Sequence, residues 1–237
     1  MPESAPEQVS YREYHKFYLA RNPEDAGRFE RHARDYQRKF GALVLGGGKT
    51  RVLDVGCASG MLAGWLVRAG VPEVIGIDLN PELVEMARQR VPGAQFHAGD
   101  AAEFLRGGRP FDIIFLQDVI EHIPREKIVG FMRALAQALT PGGFALVRTP
   151  NMNHLMAAGH LADDLTHCTG LTEQSLRQLA ELAGFGRVLQ LDQFAMQNFK
   201  GKLKVLLGGP MHHFLWWLRG GTRPRVIYRN LYAQLIK

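Results

Sequence analysis

Two adjacent carboxylates precede a histidine in the segment DDLTHCTGLTEQSL, which occupies residues 163–176. A neutral imidazole can accept a proton near pH 7, and a neighbouring carboxylate can fix the orientation of its ring. His167, with Asp163 or Asp164, is therefore a candidate general base. The same residue types also fit a metal site, or a turn before a helix that Thr172 would cap.

A second set of polar side chains follows short apolar segments earlier in the chain. Asp54 stands near the end of RVLDVG, Asp78 ends EVIGID, Asp100 ends AQFHAGD, and Gln117 stands near the end of FDIIFLQD. Such folds bind ligands at the carboxyl ends of parallel strands, and an acid after the second strand can accept hydrogen bonds from both ribose hydroxyls. Each aspartate alone could instead cap a helix. Their joint placement favours a nucleotide-sized site.

Gly56 and Gly60 follow the first of these apolar segments, in LDVGCASG. Glycine at this point permits a sharp turn and a close approach of the backbone to a ligand. The spacing G-x-x-x-G differs from the G-x-G-x-x-G fingerprint of dinucleotide binding. The turn therefore indicates a ligand without indicating a dinucleotide.

The elements that would position these residues alternate between strands and helices, which predicts a parallel sheet with helices on both faces. Strands are predicted at 51–56, 73–78, 94–100, 111–118, 144–150, 187–194 and 225–237, the last of which could be antiparallel at its end. Helices are predicted at 59–70, 80–91, 101–107, 125–143 and 172–186. Asn80 and Pro81 mark a helix start, and the Pro-Gly-Gly at 141–143 a helix stop.

Residues 1–47 are predicted to form an N-terminal helical arm, with one helix over 11–45 that GGGK ends. Residues 48–237 form the main domain, interrupted by an apolar and basic insertion at about 195–224. No uncharged apolar segment reaches 18 residues, the N-terminus lacks the apolar core of a signal peptide, and the two cysteines match no zinc or redox spacing. These features predict a cytoplasmic protein.

The formal net charge is +6, and the basic residues are concentrated in the N-terminal arm and the C-terminal region. Basic ends can meet nucleic acid, anionic lipid or a phosphorylated substrate, or simply face solvent. The chain carries no recognisable RNA-binding module. Nucleic acid is therefore disfavoured as a partner.

Five motifs occur in order: VLDVGCASG, VIGIDLNPELVEMAR, FHAGDAAEF, FDIIFLQDVIEHIP and LTPGGFALVRTPN. Together they resemble the S-adenosylmethionine-dependent methyltransferases, over roughly residues 48–193. The resemblance implies an α/β, Rossmann-like, doubly wound fold with a mostly parallel seven-stranded sheet, and S-adenosyl-L-methionine as the cofactor. Alanine stands at position 58, where the family often has glycine, which adds one methyl group near the ligand.

The resemblance also implies roles for individual residues. The methionine part of the cofactor would be lined by Asp54, Gly56, Cys57 and Gly60. The ribose would be held by Asp78, the adenine by Leu79, Asp100 and Ala101, and the sulfonium end by Gln117.

The residues after the fourth strand inform the methyl acceptor. Gln117 and Asp118 are followed by valine and isoleucine, whereas family members that methylate exocyclic amines carry Asn or Asp, then Pro-Pro and an aromatic residue. Residues 149–185 resemble bacterial methyltransferases of sugar and glycoconjugate synthesis, and quinone-ring O-methyltransferases share the general pattern. We therefore expect O-methylation of a sugar or glycoconjugate hydroxyl, with a quinone or other small molecule as the alternative. An RNA methyltransferase and a non-catalytic cofactor-binding accessory protein are further alternatives.

The resemblance places a second histidine near the methyl-transfer site. His122 belongs to the loop after the fourth strand and is a candidate catalytic residue beside His167 and Asp164, or else a packing residue under the next helix. His167 could also serve only to hold its loop through hydrogen bonds. We assign no metal ligands, although Asp163 or Asp164 with His167 and His154 or His160 would form a metal site of a recognisable type.

The insertion contains a segment, 199–225, in which leucines, a phenylalanine and two tryptophans are flanked by lysines and arginines. Tryptophan with basic neighbours suits the surface of a bilayer. The segment is therefore a candidate for peripheral membrane contact, and alternatively a substrate lid, a homodimer contact or a part of the core. The two apolar parts are predicted to be divided at Gly-Gly-Pro.

Overall fold

The computed structural model describes residues 11–23, 27–48, 51–191, 199–218, 220 and 224–237. These residues form two compact units, one up to Phe115 and the other from Leu116 onward. The predicted boundary at residue 47 remains a prediction. Within the first unit, the Trp65 indole donates a hydrogen bond to Gln37 Oε1 at 3.1 Å, so the second helix packs on the third.

The first unit contains the N-terminal helices and the first strands of the sheet. Its elements are α1 (Tyr11–Arg21), α2 (Arg28–Leu45), β1 (Arg51–Val55), α3 (Met61–Arg68), β2 (Glu73–Asp78), α4 (Pro81–Arg90), β3 (Gln95–Ala98), α5 (Ala101–Phe104) and β4 (Phe111–Gln117), whose last two residues belong to the second unit. β2 pairs in parallel with both β1 and β3. The carboxyl ends of these three strands therefore lie at one edge.

The second unit continues with a 3-10 turn at Ile120–His122. Its further elements are α6 (Ile128–Gln137), β5 (Leu139–Pro150), α7 (Ala157–Ala162), α8 (Glu173–Ala183), β6 (Arg187–Gln190), α9 (Phe199–Leu218) and β7 (Asn230–Ile236). β7 runs antiparallel to both β5 and β6. The seven strands follow the order β3-β2-β1-β4-β5-β7-β6, which confirms the predicted seven-stranded sheet.

Two predicted helix starts are confirmed by their capping hydrogen bonds. Asn80 Oδ1 accepts from the backbone N–H of Leu83 at 3.0 Å, and Pro81 occupies the first position of α4. Thr172 and Ser175 cap α8 reciprocally, each side chain accepting from the other residue's backbone N–H. Such caps satisfy amides that the first turn of a helix leaves without partners.

Several predicted boundaries are wrong, including that of the last strand, which begins at Asn230 rather than at residue 225. The helix expected over 11–45 is divided into α1 and α2, with residues 24–26 outside the described part. Pro-Gly-Gly at 141–143 lies within β5 rather than ending α6, which already ends at Gln137. α9 continues through Gly-Gly-Pro at 208–210, although a proline inside a helix removes one backbone donor and its ring crowds the preceding turn. α7 was not predicted.

Candidate functional site

The turn after β1 has an unusual backbone. Three of its five residues have positive φ: Gly56 at 71°, Ala58 at 44° and Gly60 at 81°. The amides of Gly56 and Cys57 both donate to the carbonyl oxygen of Ile77, at 2.8 and 3.1 Å. We call residues 56–60 the cofactor turn. A Cβ atom at Gly60 would lie 3.1 Å from that of Ala87, a tight contact, so both the space and the positive φ favour glycine here.

Asp78 ties the cofactor turn to the end of β2. Its Oδ2 accepts from the backbone N–H of Ala58 at 2.9 Å, and its Oδ1 accepts from that of Asn80 at 2.9 Å. Burial raises the pKa of Asp78, and these two hydrogen bonds oppose that rise. A carboxylate offers about four acceptor positions, so two bonds leave acceptor capacity for ribose hydroxyls.

Asp54 lies under the same edge and is only 3% exposed. Burial, and secondarily the charge of Asp78, raises the pKa of Asp54 to about 8. Burial also raises the pKa of the Cys57 thiol, which makes this cysteine a packing residue rather than a nucleophile. Ser59 is fully buried, and its Oγ has no hydrogen-bond partner among the described residues.

The residues predicted to meet the adenine lie at the same edge, since the amide of Gly99 donates to the carbonyl oxygen of Asp78 at 2.9 Å. Asp100 is exposed and caps α5, with Oδ1 accepting from the amides of Ala102 and Glu103. Ala101 is half-buried, and Leu79 is 50% exposed.

This edge fits S-adenosylmethionine. It provides acceptor oxygens at Asp78, a buried carboxyl group at Asp54, an unsatisfied buried hydroxyl at Ser59, and an exposed apolar side chain at Leu79 for a base.

In the second unit, the end of β4 carries an ion pair. Gln117 is half-buried, and its Nε2 donates to the carbonyl oxygen of Leu146 at 3.4 Å. Asp118 has a φ of 56°, and both of its carboxylate oxygens bond to the guanidinium of Arg148. The role expected of Gln117 at the sulfonium end remains a prediction.

The second unit also brings the three predicted catalytic residues together. The rings of His122 and His167 lie edge to face, with centroids 4.7 Å apart. His122 Nδ1 is 2.8 Å from Thr166 Oγ1, which in turn donates to Asp164 Oδ1 at 2.6 Å. Asp164 rather than Asp163 is thus the carboxylate bonded to Thr166, and it reaches His122 through that hydroxyl. We call Glu121, His122, Asp164, Thr166 and His167 the histidine cluster.

Backbone hydrogen bonds join the two segments of the histidine cluster. The carbonyl oxygen of Glu121 accepts from the amides of Cys168 and Thr169 at 2.9 and 3.0 Å. Thr169 Oγ1 donates to the carbonyl oxygen of Ile123 at 2.7 Å. The loop after α7 is therefore fixed against the 3-10 turn, although 45 residues separate His122 from His167 in the sequence.

Burial, hydrogen bonds and neighbouring charges shift the pKa values of three residues in the histidine cluster. The pKa of Glu121 is the first of these. Burial raises the pKa of Glu121 to about 7. Burial, followed by the charge of His167, lowers the pKa of His122 to about 4. For Asp164, partial burial would raise the pKa, but hydrogen bonds from Thr166 and the charges of both histidines lower it overall.

Glu121 was not among the predicted site residues. It is 2% exposed and its Oε2 accepts from Thr149 Oγ1 at 3.0 Å. The adjacent pair Glu-His in QDVIEHIP was the available signal. Among the described residues, the one cluster able to hold a metal ion consists of Glu121, His122 and His167. It differs from the alternative metal set of the sequence analysis, in which the side chain of His160 lies outside the described part.

Known proteins share both sequence and fold with this chain. Residues 9–190 match the family described as "Methyltransferase domain". A trans-aconitate 2-methyltransferase of Methylobacterium nodulans is 35% identical over 103 residues, which cover 43% of this chain and 38% of the relative. A ubiquinone biosynthesis O-methyltransferase of Xanthomonas euvesicatoria is 38% identical over 106 residues, covering 43% of each. The matched part thus spans about two-fifths of these relatives.

Two solved structures share the fold. A SAM-dependent methyltransferase from Archaeoglobus fulgidus has a TM-score of 0.67 at 16% identity, covering 94% of this chain and 100% of that one. The magnesium protoporphyrin IX methyltransferase of Synechocystis, solved with bound SAH, has a TM-score of 0.59 at 18% identity, covering 96% of both. With the family match over residues 9–190, the chain belongs to the S-adenosylmethionine-dependent methyltransferases of Rossmann-like fold.

Proposed function

We propose that this chain transfers a methyl group from S-adenosylmethionine to a hydroxyl group of a small molecule. The observation that carries the choice of a hydroxyl is the histidine cluster, in which a buried carboxylate and two histidines converge. A hydroxyl must lose its proton to become an effective nucleophile, and groups of this kind assist that loss.

Residues of the first unit would bind the cofactor, and residues of the second unit would bind and deprotonate the acceptor. The cofactor turn, Asp54 and Asp78 bind and orient the cofactor, which supplies a methyl group already activated on a sulfonium. The histidine cluster would hold the acceptor hydroxyl and draw off its proton, with the half-buried His167 as the member that meets the acceptor. Asp164 and Thr166 act as positioning residues, because they fix the ring of His122.

The acceptor class favoured by the relatives is a ring hydroxyl. Several of the similar proteins are ubiquinone biosynthesis O-methyltransferases, which supports the alternative of the sequence analysis, a quinone-type ring. The resemblance of residues 149–185 to glycoconjugate enzymes supports a sugar hydroxyl as the second candidate. The two classes differ in polarity, so a direct competition separates them.

The exposed apolar surface of helix α9 favours an acceptor that is located in a membrane. It exposes a set of large apolar side chains, with Trp217 73% exposed; the others are Leu203, Leu206, Leu207, Met211, Phe214, Leu215 and Leu218. Among the described residues, no helix is long and apolar enough to cross a membrane. We propose that α9 lies on a bilayer surface, which apolar side chains of this size favour. Absence of co-flotation with anionic liposomes would contradict the contact, and a concentration-dependent dimer would indicate a second copy instead.

Nucleic acid is a poor fit to the described part of the N-terminal arm. Asp35 pairs with both Arg38 and Lys39, and Arg28 is buried and donates to the carbonyl oxygen of Asn22 at 2.5 Å. Cations that are paired or buried contribute little to phosphate binding.

The test is a methyl-transfer assay with labelled S-adenosylmethionine and two acceptor sets, polyprenylated catechols and nucleotide-linked sugars. We expect product with one set. We also expect kcat to fall by about 100-fold for His167→Ala, the lower end of the range for a general base, with an unchanged cofactor Kd. The control is His213→Ala, an exposed histidine on α9. Normal turnover by His167→Ala would remove its catalytic role. Cofactor binding without transfer to any hydroxyl would favour the accessory-protein alternative.

A further inference from the structure

Three side chains of the second unit provide a set of donor atoms for a cation. Glu121, His122 and His167 each offer one ligand atom, and these atoms lie within 4.8 Å of one another. Two imidazole nitrogens and one carboxylate oxygen are typical of zinc and of other transition metals. Bonds of about 2.0–2.1 Å place two tetrahedral ligands about 3.3 Å apart, so the widest pair must close by at most about 1.5 Å. A rotation of the half-buried His167 side chain provides movement of this size.

The burial of Glu121 is a second and independent observation. Its Oε2 is bonded to Thr149, but its Oε1 is buried and has no hydrogen-bond partner among the described residues. A buried carboxylate oxygen without a donor or a cation is costly, because it has lost its hydration without compensation. The unsatisfied atom belongs to a residue of the ligand set, so it points to something that completes the site.

The hydrogen bonds around His122 fix which of its nitrogens carries the lone pair. Thr166 Oγ1 lies 2.6 Å from Asp164 Oδ1, and a hydroxyl can only donate to an ionised carboxylate. The Thr166 oxygen must therefore accept from His122 Nδ1–H, which is 2.8 Å away. In the neutral ring, Nε2 then carries the lone pair and is the nitrogen that would ligate. A ligand histidine oriented by a second group in this way is the usual arrangement at metal sites.

We propose that Glu121, His122 and His167 bind one divalent transition-metal ion, of which zinc is the reference case. This differs from the sequence analysis, which assigned no metal ligands. The binding itself stands on the geometry of the second unit alone. Its use in activating an acceptor hydroxyl, for which a bound cation would act as a Lewis acid, rests on the proposed function.

Metal binding can be measured without any acceptor or cofactor. The full chain is treated with a chelator, dialysed, and titrated with Zn²⁺ by calorimetry, and in parallel with Co²⁺ by visible absorption. We expect one ion per chain and a cobalt spectrum with nitrogen and oxygen ligands. Glu121→Gln and His122→Asn should each weaken binding by at least about 100-fold, and Thr166→Val by about 10-fold.

Two controls separate lost ligands from lost structure. His213→Ala removes an exposed histidine outside the ligand set and should leave the zinc affinity unchanged. Each ligand variant should keep its S-adenosylmethionine Kd, since the predicted cofactor residues of the first unit are unaltered. A variant that binds neither zinc nor S-adenosylmethionine is misfolded. It is replaced by His167→Gln, which alters the most accessible of the three positions.

The outcomes distinguish this proposal from the proposed function. Absence of stoichiometric zinc binding to the unaltered chain, or zinc binding that Glu121→Gln leaves unchanged, overturns the metal site. Hydroxyl methylation that persists at full rate in chelator overturns the catalytic use of the metal and leaves the proposed function intact. Stoichiometric zinc binding without transfer to any hydroxyl supports the metal site and overturns the proposed function.

Discussion

The cofactor turn and the histidine cluster are built in different ways. The cofactor turn uses five consecutive residues and one carboxylate, and its hydrogen bonds come mainly from backbone amides held in left-handed conformations. The histidine cluster uses side chains from two segments 45 residues apart, joined by backbone bonds to the carbonyl oxygen of Glu121. The first region presents mainly backbone groups, and the second presents mainly side chains.

This difference predicts how each region responds to substitution. Backbone amides remain when a side chain changes, so the cofactor turn should lose affinity in moderate steps. A side-chain cluster loses one of its reacting groups when one member changes, so the rate should fall more steeply. Substitutions in the cofactor turn should therefore change mainly the cofactor Kd. Substitutions in the histidine cluster should change mainly kcat, and by a larger factor.

The largest expected effect is at Glu121. Glu121→Gln keeps the shape of the side chain but removes its charge, so we expect kcat to fall by about 10²- to 10⁴-fold, the usual range for a group assisting proton transfer. Single-turnover kinetics measures the fall, and calorimetry should show an unchanged Kd for S-adenosylmethionine. If cofactor affinity fell with kcat, the two regions would not be functionally separate.

A smaller effect is expected at Asp78. Asp78→Asn replaces one acceptor oxygen by a donor opposite the Ala58 amide and weakens the ribose contact. Hydrogen bonds to a charged group contribute about 1.5–3 kcal/mol, so the cofactor Kd should rise by about 10- to 100-fold. The rate at saturating cofactor should stay within a few-fold of the unaltered chain. Glu82→Gln, on the neighbouring helix, serves as the matched charge control.

The next effect concerns the pH dependence of stability. Folded Asp54 keeps its proton up to about pH 8, whereas an unfolded aspartate ionises near pH 3.9. The folded chain therefore binds more protons between these values, and the contribution of Asp54 to the free energy of unfolding falls as pH rises through this window. Asp54→Asn should remove that slope and gain about 1–3 kcal/mol at pH 8 relative to pH 5.

Urea unfolding at pH 5 and pH 8 measures the change at Asp54. Equal stability differences between the variant and the unaltered chain at both pH values would show that Asp54 ionises normally. In that case the end of β1 would carry a buried charge beside the cofactor turn, and the contrast between the two regions would be weaker.

The smallest effect is expected at Ala58. Its φ of 44° lies in the left-handed region, which costs a residue with a Cβ about 1–2 kcal/mol. Ala58→Gly should relieve part of this strain while keeping the amide that bonds to Asp78, and so raise the free energy of unfolding by up to about 1 kcal/mol. Thermal unfolding provides the measurement. Ala63→Gly within α3 is the control and should destabilise the chain.

The sequence predicted the first region better than the second for a physical reason. The alternation of apolar strands and helices located the ends of β1, β2 and β3, and parallel pairing then placed Asp54, Asp78 and Asp100 at one edge. Asp100 caps α5, a role that the sequence allowed but could not decide.

The histidine cluster could be predicted only in part. His122, Asp164 and His167 were candidates individually, but their meeting depends on hydrogen bonds from Cys168 and Thr169 to Glu121 that no periodicity encodes. Glu121 itself resembles any other charged residue near a helix start until its burial is known. Likewise, the exposure of α9 could not be inferred from its composition, because apolar residues are usually buried.

The double acceptor role of the Glu121 carbonyl has a consequence for hydrogen exchange. Cys168 and Thr169 lie in a loop with neither helix nor strand, and Cys168 is exposed, so their amides would ordinarily exchange with solvent deuterium within seconds. Because both are bonded to Glu121, their exchange should be slowed to the rate at which the loop opens. These two amide protons therefore report directly how often the loop separates from the 3-10 turn at the histidine cluster.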